Sequence, residues 1–223
     1  MGISRPVRSA ATLYLMELDA LNEQGWCLWS EAVSEHELRA IESLLPWIAQ
    51  PSRRPVPLAA LNAWLAGTQL PDLFKDLLGP ASRPVRALLM AKGEGQDWDI
   101  GWHRDTTFGV KAPKAVQGFD GWVDKGPFWQ VQAPEELMSQ VRSLRLHLDD
   151  SGPDTGPLLV KPSSHRGLET DPVELHARRG DAFVMHPLLL HASARPRIPA
   201  PRRVLHIEWA AFELPGGLEW AWF

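Results

Sequence analysis

The sequence predicts an α+β, mainly β domain in which helices come first and the β part forms a sandwich or barrel. Two observations carry this expectation. Helical periodicity and capping signals fill residues 1–80, whereas from Val85 the chain breaks into short apolar or alternating runs separated by Gly, Pro and Asp. A third observation concerns size. The 223 residues are enough for one substantial core, and no repeat or low-complexity tract divides them, so a single domain is expected over 1–223.

Taken in order, residues 11–24 read as a first helix, with Leu13, Met16, Leu18 and Leu21 on one side before Gln24-Gly25 stops it. Trp26-Cys27-Leu28-Trp29 suits a short strand. Ser34 followed by Glu37 is a capping box for a second helix that buries Leu38, Ile41, Leu44 and Leu45, with Pro46 as its kink or end. The Pro- and Arg-rich residues 51–57 read as loop, and short helices follow around 58–66 and 71–78, closed by Gly79-Pro80. Val85–Met90 is a buried strand. Leu144-Arg145-Leu146-His147-Leu148-Asp149 alternates strictly, as a strand with two unlike faces does. Leu158–Val160, Asp181–Met185 and Val204–Trp209 add three more strands. Residues 106–135 show no firm element but hold Phe108, Phe119, Trp122, Phe128 and Trp129, the composition of an active-site lid loop.

Composition excludes several function classes. A formal charge of −4 gives no electrostatic reason to expect nucleic acid or an anionic membrane as partner. Cys27 is the only cysteine, so no internal disulfide forms. The N-terminus lacks the apolar region of a signal peptide, and no apolar run is long enough to cross a bilayer. A soluble, cytoplasmic protein is expected, of unspecified oligomeric state. Eleven tryptophans against one tyrosine suit core and pocket walls alike.

Chemistry concentrates in two places. The chain contains two His-x-Asp tripeptides, His103-Arg104-Asp105 and His147-Leu148-Asp149. The first opens into Thr106-Thr107 and the aromatic stretch, whereas Asp149 runs into the polar turn Asp150–Asp154, so the first is the better pair of metal ligands. His191, which ends the segment Pro187-Leu188-Leu189-Leu190, is the best third ligand, with His186 as its alternative. Two neutral imidazoles and one carboxylate on one face of Fe(II) leave positions for a bidentate co-substrate and dioxygen. The far carboxylate of 2-oxoglutarate calls for a guanidinium. Arg202 and Arg203 both offer one, on opposite faces if the strand has begun, and Ser193 stands close enough in sequence to assist. Arg145 and His147 share a strand face and suit the same cavity.

These residues resemble a known family. The string from Gly180-Asp181 through His186-Pro187-Leu188-Leu189-Leu190-His191-Ala192-Ser193, followed by Pro201-Arg202-Arg203-Val204-Leu205-His206-Ile207-Glu208-Trp209, is similar to the phytanoyl-CoA dioxygenase family of Fe(II)/2-oxoglutarate oxygenases. So is Asp149-Asp150 running into Thr155-Gly156-Pro157-Leu158 and Pro162-Ser163-Ser164-His165-Arg166-Gly167. The resemblance spans roughly 85–210. It implies a double-stranded β-helix (a cupin-like jelly roll) over 85–212, with the N-terminal helices packed on one sheet. It implies His103, Asp105 and His191 as iron ligands, Arg202 with Ser193 as the clamp for 2-oxoglutarate, and Arg145 on the wall of that pocket. His165 falls in a structural hairpin. Fe(II), 2-oxoglutarate and O2 are the implied cofactors, with succinate and carbon dioxide as co-products.

The hairpin departs from the family at Thr155, where Asn is usual, and at Ser163, where Gly is usual. Both are turn positions. Family halogenases lack the carboxylate, so its presence as Asp105 favours hydroxylation of an unactivated C–H bond, or a related oxidation such as desaturation, over halogenation. The compact chain suggests a small molecule, such as an amino acid or natural-product intermediate. Its contacts are expected from Trp102, Arg104, Trp122, Trp129 and His147, with Arg104 or Arg145 meeting any carboxylate. The alternatives are a non-catalytic metal- or ligand-binding jelly roll and a metal oxygenase that does not use 2-oxoglutarate. The apolar C-terminal segment 218–223 is expected to dock on its own barrel or on a neighbour.

Overall fold

The structure is a computed structural model, and it describes residues 18–45, 52–93 and 98–221. Three antiparallel sheets form the body. The largest has six strands: β1 (Trp26–Trp29), β2 (Ser52–Pro55), β3 (Arg83–Lys92), β8 (Arg142–His147), β11 (Ala182–Met185) and β13 (Arg202–Ala210), in the order β1-β11-β8-β13-β3-β2. The second comprises β4 (Ile100–His103), β9 (Leu158–Val160), β10 (Val173–Leu175) and β12 (His191–Ser193), in the order β10-β9-β12-β4. The third, β5 (Thr107–Val110), β6 (Asp120–Asp124) and β7 (Trp129–Gln132), is a small meander ordered β5-β7-β6.

Alternation decides what each face of the six-stranded sheet does. Ala87, Leu89, Leu144, Leu146, Val184, Leu205 and Ile207 point outward, into a core shared with α1 (Glu35–Leu44), α2 (Leu58–Ala66) and α3 (Leu70–Leu78). The helices therefore pack on one sheet, as expected. Phe74 of α3 stacks on Trp209 with ring centroids 4.4 Å apart. The capping box of α1 is present: Ser34 N donates to Glu37 Oε2 at 2.6 Å, and Ser34 Oγ accepts from Glu37 N at 3.3 Å. The opposite face of the sheet carries Arg86, Arg145, His206 and Glu208 and looks toward the four-stranded sheet. The polar half of the β8 alternation is thus buried between sheets instead of facing water.

Three local expectations need correction or restriction. Residues 52–55 are not loop but an edge strand; Arg53 pairs with Met90, and Pro55, which has no N–H to give, sits at the strand's end. Residues 106–135 are not an irregular loop. Gly and Pro interrupt them, yet they hold the three-stranded meander and end at the first residue of α4 (Glu135–Met138). The meander has its own core, in which Phe108, Val110, Phe119 and Val131 meet Leu214, Leu218 and Trp220. The first helix is seen over 18–24; residues 11–17 and Pro46 lie outside the described residues. Of the C-terminal segment, residues 218–221 dock on their own chain, where Trp220 bridges Val110 and Ala221 N donates to Gly109 O at 3.0 Å, and residues 222–223 lie outside the described residues.

Among the two hairpin departures, Ser163 adopts φ +62°. Its hydroxyl donates to Glu23 O at 2.8 Å, which offsets part of the roughly 1 kcal/mol that a side chain costs there. Among the described residues no helix is long and apolar enough to cross a membrane.

Candidate active site

His191 and His103 are cross-strand partners in the β12–β4 pair, so their side chains leave the same face, with ring centroids 4.2 Å apart. Asp105 lies two residues past the end of β4, its backbone N–H donating to Pro187 O at 2.9 Å. The Nδ1–H of His103 donates to Gly101 O, and that of His191 to Leu189 O, each at 2.8 Å. Each carbonyl fixes the tautomer and leaves an Nε2 lone pair free. Those lone pairs face Asp105, with His103 Nε2 3.9 Å from Oδ1 and His191 Nε2 3.8 Å from Oδ2. The three ligand atoms lie within 4.8 Å of one another. Two unprotonated imidazole nitrogens and a carboxylate, all converging on one point, fit a divalent metal.

The electrostatics keep this donor set ready. Burial pushes the Asp105 carboxyl up, but His191, His206, Arg86 and His103 together outweigh it and hold the group at about 2. Burial lowers His191 to about 4. Burial likewise lowers His147 and His186 to about 3. The unfolded chain takes up these protons first, near the ordinary value of 6.5. The stability these three imidazoles contribute is therefore complete above that value and is lost as pH falls through 6.5 toward 4 and 3. The thermal midpoint of the metal-free protein is expected to drop steeply over this window. A midpoint that stays flat down to pH 4 would contradict neutral, buried imidazoles.

Behind the cluster lies a set of buried cations. Arg202, 2% exposed, donates through Nη2 to Ser193 Oγ at 2.9 Å, linking the two larger sheets. Arg145 is 4% exposed and lines the same inner cavity. Arg203, on the other face of β13, is bound by Asp149 through Nε at 2.8 Å and Nη2 at 2.6 Å, and Glu42 of α1 lies 2.8 Å from Nη2. Only the first arginine of the pair is presented to the cavity.

A second polar group was not anticipated. Arg86 pairs closely with Glu208 and donates to Thr107 Oγ1 at 3.3 Å. His206 Nε2 stands 3.5 Å from Glu208 Oε1 and 4.0 Å from Asp105 Oδ2. Lys92, equally unanticipated, lies beside Arg202. The signal lies in the sequence: polar residues fall on one face of otherwise apolar strands, Arg86 and Lys92 an even six positions apart in β3 and His206 and Glu208 two apart in β13.

The expected substrate residues fare differently. Arg104 borders an open cavity of about 500 Å³, but its guanidinium is held by Leu188 O and Ser164 O. Trp102 stands on the outer face of β4, 42% exposed and near Lys161, since alternation turns it away from His103. Trp122 and Trp129 pack on the meander's own core. His147 sits against Phe183, with neither ring nitrogen hydrogen-bonded among the described residues. None of these four lines the cavity. The meander instead contributes Thr106, Thr107, Phe128 and Gln130 to its wall. The competing ligands are elsewhere as well: Asp149 binds Arg203, and His186 stacks near His165, 4.8 Å between centroids.

The sequence profile of the phytanoyl-CoA dioxygenase family matches residues 55–204. No curated protein sequence matches the chain. HygX from Streptomyces hygroscopicus, solved with nickel and 2-oxoglutarate, superposes with a TM-score of 0.63 at 14% identity, over 89% of this chain and 87% of that one. HygX has also been solved with hygromycin B bound. SnoN, a non-heme alpha-ketoglutarate-dependent epimerase from nogalamycin biosynthesis, gives 0.63 at 13% identity, over 93% and 91%. EvdMO1 gives 0.64 at 18% identity over 88% of this chain, which spans 50% of EvdMO1's length. At these identities the likeness is one of fold.

Proposed function

The chain belongs to the phytanoyl-CoA dioxygenase family of Fe(II)- and 2-oxoglutarate-dependent oxygenases, and from that premise we propose that it hydroxylates an unactivated C–H bond of a small molecule, with succinate and carbon dioxide as co-products. The observation that carries this reading is the arrangement around one cavity. Two imidazole lone pairs and a carboxylate converge at its mouth, and a buried guanidinium with a hydroxyl waits at its inner end.

His103, Asp105 and His191 would hold the iron. Iron bound there supplies the redox chemistry that couples decarboxylation of the 2-oxo acid to oxidation of the substrate. Arg202 and Ser193 would fix the far carboxylate, which sets how the 2-oxo end is presented to the cluster. Asp105, held at about 2, stays ionised throughout the neutral range and so remains a donor. The 500 Å³ cavity beside His103 and Asp105 is of the size that encloses a small organic molecule. Phe128 gives it an apolar wall, and Gln130, which donates to Thr107 Oγ1 at 3.0 Å, a polar one.

Anaerobic addition of Fe(II) and 2-oxoglutarate to the metal-free protein tests the reading. A weak visible charge-transfer band that needs both additions supports it; no band turns attention to a binding module or to an oxygenase without this co-substrate. Because HygX binds hygromycin B and SnoN is an epimerase, product analysis must separate hydroxylation from other oxidations. Phe128→Ala is expected to weaken substrate binding by about tenfold and to leave 2-oxoglutarate affinity unchanged. Unchanged substrate kinetics would remove the meander from the substrate site.

A further inference from the structure

Lys92 is 1% exposed, among the most deeply buried charged side chains of the described residues. Its cross-strand partner in the β13–β3 pair is Arg202, so both side chains leave the same face of the sheet. Lys92 Nζ donates to Ser193 Oγ at 2.9 Å and to Ala194 O, and lies 4.7 Å from the centre of the Trp98 ring. Among the described residues no carboxylate pairs with it. Asp99, the acid that acts on it from a distance, is exposed and engaged by Arg195 at 3.0 Å.

Ser193 Oγ therefore accepts from two cations at once, Lys92 Nζ and Arg202 Nη2, each at 2.9 Å. A hydroxyl oxygen has two lone pairs, and both are used. Its hydrogen is left to donate to a third group, which must be an acceptor. Two buried cations converge on one neutral oxygen, and that oxygen and Arg202 line the inner cavity together with Arg145, which has no hydrogen-bonded or ion-pair partner among the described residues; such a cluster is costly without a counter-anion. Burial, with Arg202 and Arg145 close by, brings the Lys92 ammonium down to about 7, and an anion bound between these groups would hold it charged.

We propose that Lys92 is a direct binding residue for the co-substrate's far carboxylate, so that this end of the cavity is a two-cation site in which Ser193 is compelled to donate. The inference rests on the 2-oxoglutarate reading above and extends it. Arg202 alone would supply one charge and a planar edge. Lys92 adds a second charge from the neighbouring strand and fixes the direction of the Ser193 hydrogen.

The test compares two ligands on the Fe(II)-loaded, anaerobic protein by calorimetric titration: 2-oxoglutarate, and 2-oxopentanoate, which has the same carbon chain without the far carboxylate. Wild type is expected to prefer 2-oxoglutarate strongly. Lys92→Met should lose about ten- to a hundredfold in 2-oxoglutarate affinity and change 2-oxopentanoate affinity by less than about twofold. Lys92→Gln, which keeps a donor but no charge, should show the same selective loss. The metal-free Lys92→Met protein should melt no lower than wild type, because a like-charge contact has been removed. A wild-type preference that survives in both variants overturns the role of Lys92 and leaves the co-substrate reading intact. Equal losses for both ligands mark a structural effect and also overturn it. A wild type that binds neither ligand overturns the co-substrate reading, and this inference with it.

Discussion

Asp105→Ala is expected to reduce 2-oxoglutarate-dependent turnover by about a thousandfold or more, with loss of stoichiometric iron and little change in fold. The side chain is the sole anionic member of the cluster with His103 and His191, and it stands outside the apolar cores. Its removal leaves two neutral donors, while Arg86 and His206 lose the carboxylate that faces them. Two controls sharpen the result. His147→Ala removes a ring packed on Phe183, and Asp149→Ala removes a partner of Arg203; neither should release iron. Iron content, with succinate formation as the activity readout, decides the matter. Iron lost from the controls but retained by Asp105→Ala would move the metal to the other His-x-Asp pair.

Arg202→Ala and Arg203→Ala should separate completely although they are neighbours. The first is expected to raise the 2-oxoglutarate requirement by about a hundredfold, because its guanidinium is buried in the cavity and, among the described residues, bonded only to Ser193. The second should shift that requirement by less than about threefold. It should instead cost about 2 kcal/mol of stability, since Arg203 ties β13 to Asp149 and to Glu42 of the outer helix layer. Titration of the co-substrate and thermal melts on both variants provide the comparison. Equal effects on the co-substrate requirement would mean that the two faces of the strand are not functionally distinct.

Much of this is legible in the sequence. Ser34 and Glu37 announce their helix because a capping box is local chemistry, and the alternation at 144–149 announces a strand because each residue's face follows from its neighbour's. His103, Asp105 and His191, and likewise Arg202 and Ser193, are singled out by spacing and resemblance, and the fold brings each set together. What escaped depends on distant partners. Arg53 and Arg54 become a strand only because β3 offers a free edge, which nothing in Pro-Ser-Arg-Arg-Pro reveals. The meander is cut into pieces too short for a periodic signal, and its core is completed by residues after 210. Trp122 and Trp129 belong with these, because aromatic size suits a substrate wall and a minor core equally and only packing tells them apart, whereas Trp102 is turned outward by the alternation of β4. Lys92 and Glu208 were visible as polar residues in apolar strands, but their charges gain meaning only across the gap between sheets.

The docking of the last described residues has a consequence beyond packing. β5 is the border strand of the meander, and on its unpaired side Lys111 N donates to Glu219 O while Ala221 N donates to Gly109 O, each at 3.0 Å. The tail thus occupies a row of backbone groups that would otherwise recruit a strand from another chain. Two residues inward on the same strand, Thr107 touches both Arg86 and Gln130. One strand thus carries the backbone groups that the tail covers and the threonine that borders the open cavity.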